Sequence, residues 1–206
     1  MNALIFGNSG SGKTVNSTLV KGKNLLINTD NSSIVLQNFD RPNLDIISVD
    51  NVSDFLTSYK EGYKSKKYDN IILDNISDFF DMYILELDAT GKYKDMRQAY
   101  NLVYQNLKRL SRESTSCGCN TIFTAWLDTI EITLNNGEKT MKFQPKLPAK
   151  ILDNVCGLMN IVGYVTSKTD KEGKKHWYYI TEGNQRLLAK DQLQCRKSCL
   201  PEELFG

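Results

Sequence analysis

Apolar runs and amphipathic stretches alternate through the first half of the chain. Ala3 to Phe6 reads as a short buried strand leading into a glycine loop, followed by a helix from about Lys13 to Val20 and a strand from Asn24 to Thr29. Asp45 to Val49 is a further strand candidate. Val52 to Lys60 carries Phe55, Leu56 and Tyr59 at helical spacing, and Asn70 to Leu73 is an apolar run closed by Asp74. Strand and helix signals in this order predict a parallel sheet covered by helices.

From Ser77 to Glu113 the apolar residues Phe80, Ile84, Leu87, Tyr100, Val103, Leu107 and Leu110 recur at near-helical spacing, with Gly91 interrupting them, so two helices are expected. Thr121 to Trp126 is rich in strand formers. The pattern then changes. Glu131 to Leu134 and Lys139 to Phe143 flank Asn136-Gly137 and read as a hairpin, and Gly163 to Ser167 with Trp177 to Thr181 read as another. The expected fold class is therefore α/β, with a mostly parallel central sheet flanked by helices and antiparallel hairpins at the C-terminal side, the C-terminal third reading as antiparallel. With no internal repeat or proline-rich linker, residues 1–206 read as one domain.

The strongest chemical signal is Gly7-Asn8-Ser9-Gly10-Ser11-Gly12-Lys13-Thr14, which has the spacing G-x-x-x-x-G-K-[ST] between a strand and a helix. Glycines let successive backbone N–H groups converge on phosphate oxygens, where a side chain would block the approach. Lys13 is the candidate for the β- and γ-phosphates, and the Thr14 hydroxyl for Mg²⁺. The guanine-reading N-K-x-D pattern is absent from the chain, which favours ATP.

Mg²⁺ also needs a carboxylate, and Asp74 at the end of Asn70-Ile71-Ile72-Leu73 is the candidate; the competing role is a helix cap made by Asp74 or Asp78. Asn75 cannot serve as a base. That leaves Asp30, closing Leu25-Leu26-Ile27-Asn28-Thr29, as the candidate base for hydrolysis if its strand neighbours the loop strand, or else a turn residue capping Asn31-Ser32-Ser33.

Lys+Arg 26 against Asp+Glu 24 leave a formal charge of +2, so contact with nucleic acid has to come from local patches rather than bulk charge. Candidates are Lys139, Lys142 and Phe143 on the first hairpin, and Lys168, Lys171, Lys174, Lys175, His176 and Trp177 on the second, with Asp170 and Glu172 offsetting part of the charge. The cysteines Cys117, Cys119, Cys156, Cys195 and Cys199 are odd in number, and the N-terminus lacks the charged region of a leader, so free thiols in a reducing, cytoplasmic setting are expected. Neither Cys117-Gly118-Cys119 nor Cys195 with Cys199 has the usual zinc spacing. No run is apolar enough to span a bilayer, so no membrane partner is expected.

The Gly7 to Thr14 loop, the strand ending in Asp30 and Ile71-Ile72-Leu73-Asp74-Asn75-Ile76-Ser77 come in an order similar to that of the small RecA-core P-loop ATPases of bacteriophages, the Sak-type recombination proteins. Thr121 to Trp126 resembles that family's fourth core strand, where Thr124 or Trp126 falls at the polar sensor position. Pro145 to Lys150, Ile151 to Val162 and Gln185 to Asp191 resemble its C-terminal half. The resemblance implies a RecA-like fold, ATP-dependent binding of single-stranded DNA, strand annealing, a homo-oligomer and cooperation with a single-strand binding protein in a bacterial host's cytoplasm. Arg186 or Lys190 would then be the candidates for a finger reaching a neighbour's γ-phosphate, although Gln192 stands where the family often has a basic residue. The alternatives are an AAA+ helicase loader or replication accessory ATPase acting on a protein, and a small-molecule kinase, for which only Arg97, Arg109 and Arg112 cluster.

Overall fold

A computed structural model describes residues 1–205. Its strands are β1 (Asn2–Gly7), β2 (Asn24–Asn28), β3 (Leu44–Ser48), β4 (Asn70–Asp74), β5 (Asn120–Thr133), β6 (Lys139–Pro145), β7 (Ile161–Thr169), β8 (Lys175–Ile180), β9 (Lys190–Asp191) and β10 (Ser198–Cys199). The helices are α1 (Lys13–Ser17), α2 (Val52–Lys64), α3 (Ile76–Ala89), α4 (Met96–Ser114), α5 (Ala149–Leu158) and α6 (Pro201–Phe205), with a 3-10 helix over Ser32–Asn38.

One sheet runs through the molecule in the order β10-β8-β7-β1-β5-β4-β2-β3, with β6 on β5 and β9 on β7. From β7 to β3 every pairing on this path is parallel. Central strands of such a sheet are covered on both faces, which is why β1 and β4 are apolar without alternation. Leu4 and Phe6 of β1 face one core with α2, α3, α4 and α5, while Ala3 and Ile5 face a second with Val20, Leu204 and Phe205. In the first core the Phe55 and Phe79 rings stack at 3.9 Å and pin α2 against α3.

Three expectations change. The helix after the loop stops at Ser17 rather than running to Val20, because the Ser17 and Thr18 hydroxyls bond back to the carbonyls of Thr14 and Val15 and Gly22 turns the chain at φ 102°. Thr121 to Trp126 and the hairpin arm after it are one strand: β5 pairs in parallel with β1 and β4, continues past Trp126 through the β-formers Thr129, Ile130 and Ile132, and there takes β6 as an antiparallel partner. The C-terminal third is not wholly antiparallel either, since β7 joins β1 in parallel before folding back on β8. A crossover through α5, whose Ile151, Leu152, Val155 and Cys156 face the first core, permits that pairing.

Truncating Phe79, which is 1% exposed, is expected to lower the unfolding free energy by about 3–5 kcal/mol in urea titration; a loss near zero would mean that the α2/α3 contact does not hold the first core together.

Candidate functional site

The end of β1 leads directly into the Gly7–Thr14 loop. Gly10 and Gly12 hold φ of 69° and 83°, a region that strains any residue with a Cβ. At Gly12 such an atom would also stand 3.1 Å from the Asn16 amide nitrogen and 3.2 Å from the Trp177 ring. Inside the loop the Lys13 ammonium donates to the carbonyl oxygens of Gly7 at 3.0 Å and Asn8 at 2.9 Å. Burial lowers the Lys13 pKa, opposed by the charges of Asp74 and Asp30. Ser11 Oγ is buried in the same loop with no hydrogen-bond partner among the described residues.

Because β5 lies between β1 and β4, the floor of the site is built from neighbouring strands. Asp74, 1% exposed, closes β4 and receives three hydroxyls. Thr14 Oγ1 donates to its Oδ2 at 2.6 Å, Ser32 Oγ donates to the same oxygen at 2.9 Å, and Thr124 of β5 donates to Oδ1. Desolvation lifts the Asp74 carboxyl above the ordinary range, against the Thr124 and Thr14 bonds that favour the anion, and the Asp30 charge adds to the lift. Thr14, Ser32 and Asp74 form a compact set of hard oxygen donors. That chemistry suits Mg²⁺, with the remaining positions left to water and phosphate.

The alternative role of Asp74 as a helix cap does not occur: the side chain of Asn75 caps α3 by accepting from Asp78 N at 2.7 Å. The condition attached to Asp30 is also unmet, since β4 and β5 separate β2 from β1. Asp30 reaches the pocket by another route. The 3-10 helix folds beside α1, Asp30 accepts from Ser32 N at 3.0 Å as a turn residue would, and its other oxygen receives the Asn75 amide. Asp30 therefore has both the turn role and a place at the pocket. Ser32, absent from the sequence candidates, stands beside Thr14 and Asp74 because the Asp30 turn swings it back over β4.

The cavity around the loop, about 360 Å³, is lined by the loop itself with Asp30, Asp74, Val35, Phe39, Trp126 and Trp177. Trp177, expected at the DNA-facing hairpin, instead packs on Gly12 with the Lys175 ammonium 4.1 Å from its ring centre. Of the proposed sensor residues, Thr124 bonds Asp74 and Trp126 lines the cavity beneath the Lys146 ammonium. The remaining candidates lie apart from the loop. Lys139 pairs with Glu131 at 2.8 Å, Lys142 is half-buried, and Lys168, Lys171 and Lys174 are exposed, while His176 pairs with Asp170 at 2.7 Å. Phe143 stacks on Tyr164. Lys190 is drawn onto the Gly157 carbonyl at 3.2 Å at the end of α5, whereas Arg186 is exposed and makes no ion pair among the described residues. No group of three or more His, Cys, Asp or Glu gathers as a metal cage among the described residues.

A carboxyl whose folded pKa lies above its unfolded value near 3.8 contributes stability at low pH that is lost as pH rises through the folded pKa. Asp74→Asn is therefore expected to raise the urea midpoint of the metal-free protein at neutral pH, with the gain shrinking toward pH 3.8, and to abolish Mg²⁺-dependent nucleotide affinity. A lower midpoint at neutral pH would contradict the desolvation argument.

The AAA domain family matches residues 1–193. No curated protein sequence matches the chain. Among solved structures, a KaiC-like protein from the hyperthermophilic archaeon Pyrococcus horikoshii is similar in fold, with a TM-score of 0.51 and 14% identity over 87% of this chain and 76% of that one. The parallel sheet, with a glycine loop after β1 and an intervening strand between β1 and the Asp74 strand, is RecA-like. With the match covering nearly its whole length, the chain belongs to the AAA domain family, P-loop ATPases by fold.

Proposed function

We propose that the protein is an ATPase that binds single-stranded DNA and promotes annealing in recombination, in the manner of the Sak-type phage proteins, and that it acts as a homo-oligomer with nucleotide near the subunit boundary. The observation that carries the reading is the placement of the hairpins. β5 and β7 flank β1 on its two sides, and each runs on past the phosphate loop into a lysine-bearing hairpin with β6 or β8. A change at the loop is thus one strand away from both hairpin roots, where Trp126 pairs with Gly7 and Tyr164 with Phe6.

In this reading the loop amides and Lys13 hold the β- and γ-phosphates, Thr14 and Asp74 hold Mg²⁺ with Ser32 beside them, and Asp30, steadied by Asn75, orients the attacking water. Bound Mg²⁺ would neutralise charge on the phosphate oxygens. Lys174 and Lys175 meet the DNA backbone, with Lys139 contributing less because Glu131 already pairs it. Arg186 is the better placed of the two finger candidates, Lys190 being engaged with α5.

Both tryptophans of the chain line the cavity, so their fluorescence reports binding. Mg²⁺-ATP is expected to change it in the wild type, and ATP turnover is expected to rise with single-stranded oligonucleotide at low salt; Lys13→Ala should lose both responses. ATP binding with no response to DNA would favour the helicase-loader reading, in which the partner is a protein. Lys174→Glu with Lys175→Glu should flatten the dependence of log affinity on log salt by about 0.7 for each lysine lost, while Lys139→Glu should move it less. An unchanged slope in the double variant would remove the second hairpin from the DNA contact.

A further inference from the structure

At the opposite end of β5 from the phosphate loop, the turn between α4 and β5 holds Cys117-Gly118-Cys119. The two sulfurs are 3.2 Å apart, and Cys117 Sγ also lies 3.6 Å from Thr121 Oγ1 and 3.4 Å from the Ser114 carbonyl. Both cysteines are half-buried and line a cavity of about 660 Å³ with Met1, Tyr63, Lys66, Tyr68 and Asp69 among its other walls. Gly118 between them takes φ 81° with no atom within 4 Å of where a Cβ would stand. The turn therefore has room to adjust its torsions. Drawing the sulfurs from 3.2 Å to the covalent distance of about 2.05 Å is a small movement for it.

We infer that Cys117 and Cys119 are a thiol–disulfide exchange site that reacts with low-molecular-weight disulfides of the glutathione class and closes into an internal disulfide. The Cys117 thiolate attacks one sulfur of the small disulfide, forming a mixed disulfide and releasing one small thiolate. The Cys119 thiolate then attacks Cys117 Sγ, the internal S–S bond forms, and the second small thiolate leaves. The protein dithiol is oxidised by two electrons and the small disulfide is reduced to two thiols.

The roles follow from the contacts. Cys117 can receive hydrogen bonds from the Cys119 thiol and the Thr121 hydroxyl, which pushes its pKa down to about 5, and Cys119 is pushed up by donating to and facing Cys117. Capping Cys117 in the mixed disulfide removes that negative charge and frees Cys119 to ionise. A lower pKa also weakens a thiolate as a nucleophile, so the advantage of the pair lies less in the first attack than in the second, which is intramolecular. The other thiols lack it. Burial raises Cys156 to about 12 and Cys199 to about 11, and Cys195 is exposed, so it competes only as an external thiol.

The test is equilibration of the full chain, in a Cys195→Ser background and as wild type, with glutathione and glutathione disulfide, followed by acid quench and peptide mapping. An internal disulfide depends on the square of the thiol concentration over the disulfide concentration. Raising total glutathione about tenfold at a fixed ratio should therefore lower the oxidised-to-reduced ratio of the pair about tenfold, while a mixed disulfide at Cys195 should not change. Cys119→Ser should leave Cys117 as a mixed disulfide that responds to the ratio alone. Recovery of Cys117 and Cys119 as thiols throughout, or a response in the unsubstituted pair to the ratio alone, would overturn the inference. The wild-type measurement decides this even where the serine variant does not fold.

Discussion

The Asp74 carboxylate is the constraint around which the site is arranged. A carboxyl removed from water must be met by donors, and here they come from α1, the 3-10 helix and β5. None of these segments adjoins β4 in sequence. Their convergence requires β5 to lie between β1 and β4 and the segment after β2 to fold back beside α1. The sheet order and the hydroxyl shell are thus one requirement seen at two scales: another strand between β4 and β5 would take Thr124 away from Asp74.

Lys13 supplies the balancing charge. Its ammonium lies within the attraction of Asp74 and Asp30 but spends its hydrogen bonds on the loop's own carbonyls. Cation and anion therefore share one region without an ion pair between them, an arrangement in which both can still turn to an incoming phosphate and metal. The neutral hydroxyls lessen the cost of the buried carboxylate without cancelling its charge. Trp126 on β5, which flanks β1 on one side, and Trp177 on β8, one strand beyond β7 on the other, both line the cavity and belong to the strands that form the hairpins.

Local chemistry made several features readable in advance. Residues covered on both faces must be apolar, so β1, β2 and β4 appear as uninterrupted runs, and the helices appear as stripes at helical period. The loop is readable because phosphate binding demands backbone room, and only glycine supplies it at Gly12, where a Cβ would meet Asn16 and Trp177. Asp74 stood out as a lone carboxyl at the end of such a run. Ser32, in contrast, is one hydroxyl among many in a polar stretch, and nothing in its neighbours marks it. The lysines around Trp177 suggest a hairpin tip, whereas its place against Gly12 follows from the pairing of β8 with β7.

The amino-acid sequence by itself determined where the strands β1 to β4 and the helices α2 to α4 lie and where the glycine loop falls, and it marked Lys13, Thr14 and Asp74 as the candidates for its chemistry, because propensity, periodicity and glycine spacing act over a few residues. Only the tertiary structure decided that Thr124 and Ser32 complete the shell of Asp74, that β5 is one strand with different partners along its length, and that β7 is parallel to β1. Those outcomes depend on which strands lie side by side, and strand order is set by burial and crossover across the whole sheet, which no local window contains.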